Sequence, residues 1–286
     1  MRDTWVKATQ SRLERDPRLA LILADIGVDR FRRPVRGGRV INVGIREALA
    51  VGMAAGLALE GFRPILHTYA PFLVKRAFEQ IELDLVHQEL PALLVSIGAS
   101  FDAASAGRTH QAPNDVALLS TLGVTIEVPG HPGEVEPAMG RLLASDGVGY
   151  LRLSEQSNPA PLPAPLTRLR QGSRGTVLVI GPLLGPALEA VSDLDIGVVY
   201  TSRASPLPLE LRDAIVPDSP LAVLEPVTEG TSLPAVYERL GPRPVHPIGI
   251  PRRELRRFGT PREHGRAHGL DARSLRGRFI ELFGIV

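Results

Sequence analysis

Continuous apolar runs of strand length alternate with helical patterns along the whole chain. Strands that are apolar at every position, rather than at every second one, are typical of sheets covered on both faces. The alternation therefore predicts an α/β fold in which helices connect the strands of mostly parallel sheets. In the first part, the predicted strands are LALILAD (19–25), RVINV (39–43), RPILHT (63–68), PALLVSIG (91–98), VTIEVP (124–129) and GYLRLS (149–154), and the predicted helices lie near residues 45–60, 72–88, 113–122 and 132–145.

The proline-rich stretch NPAPLPAPLTRLRQGSRG (158–175) interrupts this pattern and has no periodicity, which is typical of an extended linker. Beyond it the strand and helix pattern starts again and ends in a helix around SLRGRFIELF. We therefore predict two three-layer α/β domains, one over residues 1–157 and a smaller one over residues 176–286. The predicted elements of the second domain are the strands TVLVIG, IGVVYT, PLAVLEP and RPVHPIG and a helix in GPALEAVSDL.

The composition excludes several kinds of site. The 286 residues include no cysteine, which excludes disulfides, zinc–thiolate sites and thiol nucleophiles. The first residues are charged and lack an apolar signal core, and no uninterrupted apolar run reaches the length of a membrane span. We therefore expect a soluble, cytoplasmic protein without a membrane partner.

The net charge is only +2, and the basic residues are scattered apart from one group in the segment PRRELRRFG. Such a group can bind phosphate or nucleic acid, but no aromatic residues are interleaved with these arginines. We interpret it as a solvated helix face or a subunit contact and expect no nucleic-acid binding. The group consists of Arg252, Arg253, Arg256 and Arg257.

Four segments, taken in order, resemble the transketolase family, which includes deoxyxylulose-phosphate synthase. The resemblance extends from about residue 19 to the end of the chain. It implies thiamine diphosphate (TPP) chemistry that transfers a two-carbon or acyl unit to a small-molecule substrate. The segments are NVGIREALAVGMAAGLALEG (42–61), HTYAPFLVKRAFEQI (67–81), GRTHQAPNDVALLSTLGVTIEVPGHPGEVE (107–136) and TVLVIGPLLGPALEA (176–190).

Glu47 is the residue in the first segment that matches the catalytic glutamate of the family. The resemblance implies that its buried carboxyl hydrogen-bonds the aminopyrimidine ring of TPP and so promotes loss of the thiazolium proton. The charged pair Arg46 and Glu47 begins the predicted helix. The turns that follow are apolar and offer no exposed face, so the Glu47 carboxylate is expected to be buried, at a cost that a catalytic role would explain. The resemblance also places Tyr69 and Phe72 against the aminopyrimidine.

Two further residues carry expected roles near the cofactor and the substrate. Asp25, at the end of a predicted strand, matches a family aspartate near TPP, but it is an equally good candidate for a helix N-cap. His110 in Thr-His-Gln matches a family histidine that faces the substrate and hydrogen-bonds its reacting oxygens.

Four positions depart from the family pattern and imply an altered donor or acceptor. Lys75 stands where transketolases often have a tyrosine, and Gly98 stands where a second substrate-facing histidine is usual. Ala106 replaces an acid that reads a sugar hydroxyl, and Glu155 replaces a phosphate-binding arginine. A carboxylate in that place disfavours a phosphorylated substrate, because like charges repel.

Arg152 and Arg108 are candidates for restoring phosphate binding from a new direction, although either is equally well explained as a surface arginine. We include both among the candidate substrate-binding residues, together with His110. The sequence therefore leaves the charge of the substrate open.

The family holds the diphosphate of TPP through Mg²⁺, which is bound by a Gly-Asp-Gly motif and a downstream asparagine. No such pairing occurs in this chain, and we predict no metal ligand in it. The resemblance therefore implies the C-terminal subunit of a split enzyme. Its N-terminal partner would carry the Gly-Asp-Gly motif and most of the Mg²⁺ site, in an α2β2 heterotetramer.

Two other functions stay open at this point. The β subunit of a 2-oxo-acid dehydrogenase E1 shares the two-domain plan, although the Thr-His-Gln segment favours the transketolase side. A non-catalytic scaffold subunit would explain the changed positions Gly98, Ala106 and Glu155, but the presence of Glu47 and His110 argues against it.

Overall fold

The computed structural model describes residues 1–31, 38–163, 165–253 and 256–285. Within these residues twelve strands form two sheets, and helices pack on both faces of the first sheet. The predicted α/β class is confirmed. The strands are β1 (Leu19–Leu23), β2 (Val40–Asn42), β3 (Arg63–Tyr69), β4 (Ala92–Ile97), β5 (Thr125–Glu127), β6 (Val148–Arg152), β7 (Leu166–Arg170), β8 (Thr176–Ile180), β9 (Gly197–Thr201), β10 (Arg203–Ser205), β11 (Leu221–Thr228) and β12 (Val245–Ile250).

Helices connect most of these strands. In the part of the chain that the structure describes, no helix is long and apolar enough to cross a membrane. The helices are α1 (Arg2–Arg15), α2 (Glu47–Leu59), α3 (Phe78–Gln80), α4 (Asp115–Ser120), α5 (Pro132–Leu143), α6 (Leu184–Ala190), α7 (Leu211–Ala214), α8 (Leu233–Leu240), α9 (Pro261–Ala267) and α10 (Ala272–Leu282).

The first sheet has the strand order β10-β5-β6-β4-β3-β1-β2, and its neighbouring strands are parallel except for β10 and β5. Successive residues of its central strands point to opposite faces. Leu66 and Leu94 pack in one core with the apolar residues of α2. Ile65 and Leu93 pack in a second core with those of α1 and α5. This two-sided burial explains why these strands are apolar throughout.

The loops that follow β3 and β4 meet at one edge of this sheet, because parallel strands end at the same edge. After β3 the chain forms π-helical turns over Phe72–Arg76 and Ile81–Val86, on either side of α3. After β4 it forms two 3₁₀ turns, Ala104–Ala106 and Arg108–His110. The aromatic segment and the Thr-His-Gln segment of the sequence analysis therefore meet at this edge.

The second sheet has the order β12-β11-β8-β9-β7, parallel apart from β7 and β9. The prediction that all of residues 158–175 form an extended linker is wrong, because β7 lies within it and pairs antiparallel with β9. This strand lies at the edge of the sheet, where nearby prolines and exposed arginines are tolerated. Its few apolar residues gave too weak a pattern to predict a strand.

Several more elements were absent from the predictions, and two of them pack in or against the first sheet. Helix α1 carries many charges, but it buries Trp5 and Leu13 completely against the first sheet. Strand β10 follows β9 almost directly and pairs with β5, so a segment from the second part of the chain completes the first sheet. Neither feature produces a clear apolar run in the sequence.

The arginine group in PRRELRRFG does not form a helix face in the described residues, because α9 begins only at Pro261. Glu254 and Leu255, in its middle, lie outside the described residues. Arg252 Nε donates to the carbonyl oxygen of Glu229 at 3.2 Å. The carbonyl oxygen of Arg257 accepts a hydrogen bond from the Gln111 side chain at 2.8 Å.

Candidate functional site

Glu47 is the first residue of α2, and its side chain is 4% exposed. The positive end of the helix dipole favours a carboxylate at this position. The cation beside it is Arg76, whose Nη1 lies 3.3 Å from both Oε1 and Oε2. The charged pair that we expected at the start of the helix is not the observed contact, since Arg46 Nη1 donates to the carbonyl oxygen of Val43.

Three rings lie next to this ion pair. Tyr69 ends β3, Phe72 begins the following helical turns, and His110 ends the second 3₁₀ turn. Their ring centroids are 6.1 Å apart for Tyr69 and Phe72, 5.7 Å for Tyr69 and His110, and 5.0 Å for Phe72 and His110. Arg76 joins them to Glu47, because its guanidinium carbon lies 3.9 Å from the centre of the Phe72 ring. The structure thus brings four predicted site residues together.

A cavity of about 550 Å³ opens beside the rings of Tyr69 and His110. Three positions that depart from the family pattern also line it, namely Gly98, Ala106 and Glu155. The first residues of α1, together with Arg30, Asp102 and Ser154, also line it. The volume suits a small polar metabolite.

Gly98 has a positive φ of 74°, and the Tyr69 ring covers it. A Cβ atom at Gly98 would lie 2.6 Å from Cδ1 of Tyr69, which is closer than non-bonded atoms approach. A histidine at this position would therefore have to displace Tyr69. The absence of a side chain at residue 98 and the position of the Tyr69 ring therefore belong to one packing arrangement.

Asp102 is a wall residue that the sequence analysis did not identify. Its Oδ2 accepts from the backbone N–H of Glu155 at 2.9 Å, and its Oδ1 accepts from Ser154 Oγ at 3.3 Å. Desolvation by the surrounding protein raises the pKa of Asp102 to about 7, and the nearby charge of Glu155 adds to this effect. A carboxyl group that titrates near neutrality in a cavity is a common feature of functional sites.

Arg152 does not face this cavity, and we correct its expected role. Its side chain is 1% exposed, and its Nε donates to Asp115 Oδ2 at 2.7 Å. Its Nη2 donates to Ser100 Oγ at 2.7 Å and to the carbonyl oxygen of Ala112 at 3.3 Å. The buried carboxylate accounts for its orientation, so Arg152 serves the interior of the first sheet.

Arg108 and Lys75 lie on the loops around the site. Arg108 is exposed, and its Nη1 lies 3.5 Å from the carbonyl oxygen of Gln111. Lys75 Nζ lies 3.4 Å from the same oxygen. Both side chains therefore approach the loop that carries His110, and neither lines the cavity.

Asp25 lies at the end of β1, one strand away from Tyr69, and is exposed with a positive φ of 67°. Its backbone N–H donates to Asn42 Oδ1 at 2.9 Å. The next helical turn, Val28–Arg30, is preceded by Gly27 and has no side-chain cap, so Asp25 is not the N-cap of that turn.

No group of three or more potential metal-ligating side chains occurs among the described residues. Sequence reasoning missed Arg76 and Asp102, although both belong to the site. Arg76 follows Lys75 in the aromatic segment, but nothing in the sequence indicated that it lies against Glu47, 29 positions away. No signal in the sequence indicated Asp102, because its neighbour Glu155 is 53 positions away.

The comparisons with known proteins agree with this geometry. Residues 1–161 match the family described as "Transketolase, pyrimidine binding domain". A protein named as an uncharacterized 33.6 kDa protein in the fasciation locus of Rhodococcoides fascians is 41% identical over 285 residues, which cover 95% of this chain and 91% of that protein. A 6-deoxy-6-sulfo-D-fructose transketolase subunit of Clostridium sp. (strain MSTE9) is 30% identical over 206 residues, which cover 68% of this chain and 64% of that subunit.

Among solved structures, one described as a split gene transketolase, inactive beta4 tetramer, has a TM-score of 0.85. The match covers 99% of this chain and 98% of that chain at 24% sequence identity, so it shows that the fold is shared. The family match covers more than half of the residues. The chain therefore belongs to the transketolase family, with a pyrimidine-binding domain in its first part.

Proposed function

We propose that this chain is the C-terminal subunit of a TPP-dependent, transketolase-like transferase that acts together with an N-terminal subunit. The observation that carries the proposal is the buried Glu47 at the head of an apolar helix, in one cluster with the rings of Tyr69, Phe72 and His110. Burying a carboxylate is costly, so a chain that keeps one beside aromatic rings has a use for it.

The residues present fit the pyrimidine half of TPP. Glu47 offers a carboxyl group to a ring nitrogen, Phe72 and Tyr69 offer flat apolar surfaces, and Asp25 lies on the neighbouring strand end. When bound, TPP supplies a nucleophilic carbon that carries a two-carbon or acyl unit. Glu47 would hold a proton at the ring nitrogen, and the aromatic side chains would exclude water.

The partner subunit would hold the diphosphate and Mg²⁺. An exposed apolar surface next to Glu47 supports a subunit contact there: Ile45 is 68% exposed and Leu49 is 51% exposed, on and just before α2. Leu83, on the neighbouring helical turns, is 48% exposed. Adjacent exposed apolar residues of this kind are typical of protein interfaces. We propose an α2β2 heterotetramer, and the name of the split-gene structure, an inactive tetramer of one subunit, agrees with the need for a partner.

The substrate is proposed to be a donor without a terminal phosphate, or one with a different charge. Ala106, Gly98 and Glu155 line the cavity where, by resemblance, an acid, an imidazole and a cation bind a phosphorylated sugar. Asp102 adds a second carboxyl beside Glu155. His110 is retained at the cavity wall and would hydrogen-bond the reacting oxygens. The name of the Clostridium relative specifies a sulfonated sugar, so donors other than sugar phosphates occur in this family.

Turnover by the purified pair tests the proposal. The partner should be a protein with the Gly-Asp-Gly motif encoded next to this chain, and the panel should contain ketoses, 2-oxo acids and xylulose 5-phosphate, with TPP and Mg²⁺. We expect TPP-dependent transfer from at least one unphosphorylated or differently charged donor, and no transfer by a Glu47→Gln pair.

Three outcomes would contradict parts of the proposal. A kcat/KM for xylulose 5-phosphate at or above that of every other donor would overturn the substrate assignment. Oxidative decarboxylation coupled to a lipoyl protein would favour the 2-oxo-acid dehydrogenase. The absence of any turnover would favour a scaffold subunit.

A further inference from the structure

Arg76 occupies the two surfaces that the proposed function assigns to the pyrimidine ring of TPP. Its Nη1 lies 3.3 Å from both carboxylate oxygens of Glu47. Its guanidinium carbon lies 3.9 Å from the centroid of the Phe72 ring, within the range of a cation–π contact. A guanidinium group is planar and carries N–H donors, so it can stack on a ring and pair with a carboxylate at once.

The ion pair has the geometry of a contact that can be displaced. A single nitrogen spans both carboxylate oxygens, whereas a strong arginine–carboxylate pair uses two nitrogens at about 2.7–2.9 Å. The Arg76 side chain is 50% exposed and Glu47 is 4% exposed, so the arginine reaches the buried acid from the solvent side. Its departure would leave the apolar packing of α2 intact.

The contact with Arg76 also stabilises Glu47 in the chain without cofactor. A carboxylate that is 4% exposed is destabilising unless a cation or several donors surround it. The amino end of α2 supplies partial positive charge, and Arg76 supplies a full one. In a chain with TPP bound, the carboxyl group of Glu47 would bond the pyrimidine instead, and the guanidinium could not occupy the same place.

We propose that Arg76 is a placeholder for the pyrimidine ring, which pairs with Glu47 and covers Phe72 until the cofactor displaces it. The inference rests on the proposed TPP function and adds a residue that the family resemblance does not assign. It makes Arg76 a positioning residue, since it acts through Glu47 and Phe72.

A placeholder has opposite effects on two measurable quantities. Removing Arg76 leaves Glu47 buried without its cation, so the chain without cofactor should lose stability. The same change removes a competitor for the cofactor site, so TPP should bind more tightly. An arginine that only supported the site would lower both stability and affinity when removed.

The test compares wild type with Arg76→Met. Urea unfolding of the chain alone should show a lower midpoint for Arg76→Met, and the double variant Glu47→Gln/Arg76→Met should recover most of the loss. Calorimetric titration of TPP with Mg²⁺ into the pair of subunits should give an affinity about three- to fivefold higher for Arg76→Met, the effect of losing a half-exposed ion pair in the free state. If Arg76→Met does not fold, Arg76→Gln keeps a planar end without charge and is expected to act in the same direction.

Arg46→Met is the matched control, because Arg46 precedes Glu47 in sequence but its Nη1 bonds the Val43 carbonyl oxygen at 3.3 Å. It should leave the TPP affinity unchanged. Equal or weaker TPP binding by the Arg76→Met pair would overturn the placeholder while leaving the proposed function in place. Failure of the wild-type pair to bind TPP at all would overturn the proposed function and the placeholder together.

Discussion

Replacing Arg152 by methionine tests whether this arginine serves the interior or the substrate. The change removes the cation of an ion pair in which Arg152 is 1% exposed and Asp115 is 0% exposed, at 2.7 Å. Asp115 would keep its hydrogen bond from the Tyr150 hydroxyl at 2.7 Å but would lose its compensating charge. Breaking a buried pair from one side typically costs about 3–5 kcal/mol, and we expect a loss of this size.

The network around the pair supports the upper part of this range. Arg152 also donates to Ser100 Oγ, and Ser100 Oγ donates to the carbonyl oxygen of Pro226 in β11. The arginine therefore links the first sheet to the second, and its loss leaves Ser100 Oγ without its donor. Burial raises the pKa of Tyr150 well above its ordinary value, and the charge of Asp115 raises it further, so the phenol stays protonated and keeps donating to Asp115.

Urea unfolding of the chain at constant m-value measures the loss. Arg18→Met is the control, because the Arg18 side chain is 66% exposed in its ion pair with Asp16 and should cost less than about 1 kcal/mol. Adding Asp115→Asn to Arg152→Met removes the stranded charge and should recover part of the stability. A loss below about 1 kcal/mol for Arg152→Met, together with a raised KM of the subunit pair, would refute the structural role and restore the substrate role.

Three further predictions concern the cofactor, Glu47 and Asp102. The chain alone should bind TPP weakly or not at all by calorimetry with Mg²⁺, because the described residues offer no metal cluster, and tight binding would contradict a shared site. Glu47→Gln should fold and assemble but lower the activity of the pair by about a hundred- to ten-thousand-fold, since an amide cannot exchange the proton. Turnover by the Glu47→Gln pair at the wild-type rate would mean that Glu47 has no catalytic role. Asp102 keeps its proton up to about pH 7 in the folded chain but loses it near 3.8 when unfolded, so its contribution lowers stability as the pH rises between these values. Asp102→Asn should therefore reduce the fall in Tm over this range, and an unchanged Tm profile would contradict the shifted pKa.

The sequence by itself determined the α/β class, the central strands of both sheets and the group of Glu47, Tyr69, Phe72 and His110. The fold class and the strands follow from apolar runs, which are local patterns, whereas the four site residues follow from the resemblance of their segments to the transketolase family. The edge strands β7 and β10 and the helix α1 were missed, since their apolar residues are few and are buried only by distant parts of the fold.

The tertiary structure alone decided which side chains meet across the chain. It placed Arg76 on Glu47, 29 positions away, and Asp102 beside Glu155, 53 positions away. It also moved Arg152 from a candidate substrate contact into the interior, because Asp115, Ser100 and the carbonyl oxygen of Ala112 surround its guanidinium group. No sequence spacing encodes these contacts, since they follow from the order in which parallel strands assemble and from the loops that this order brings to one edge.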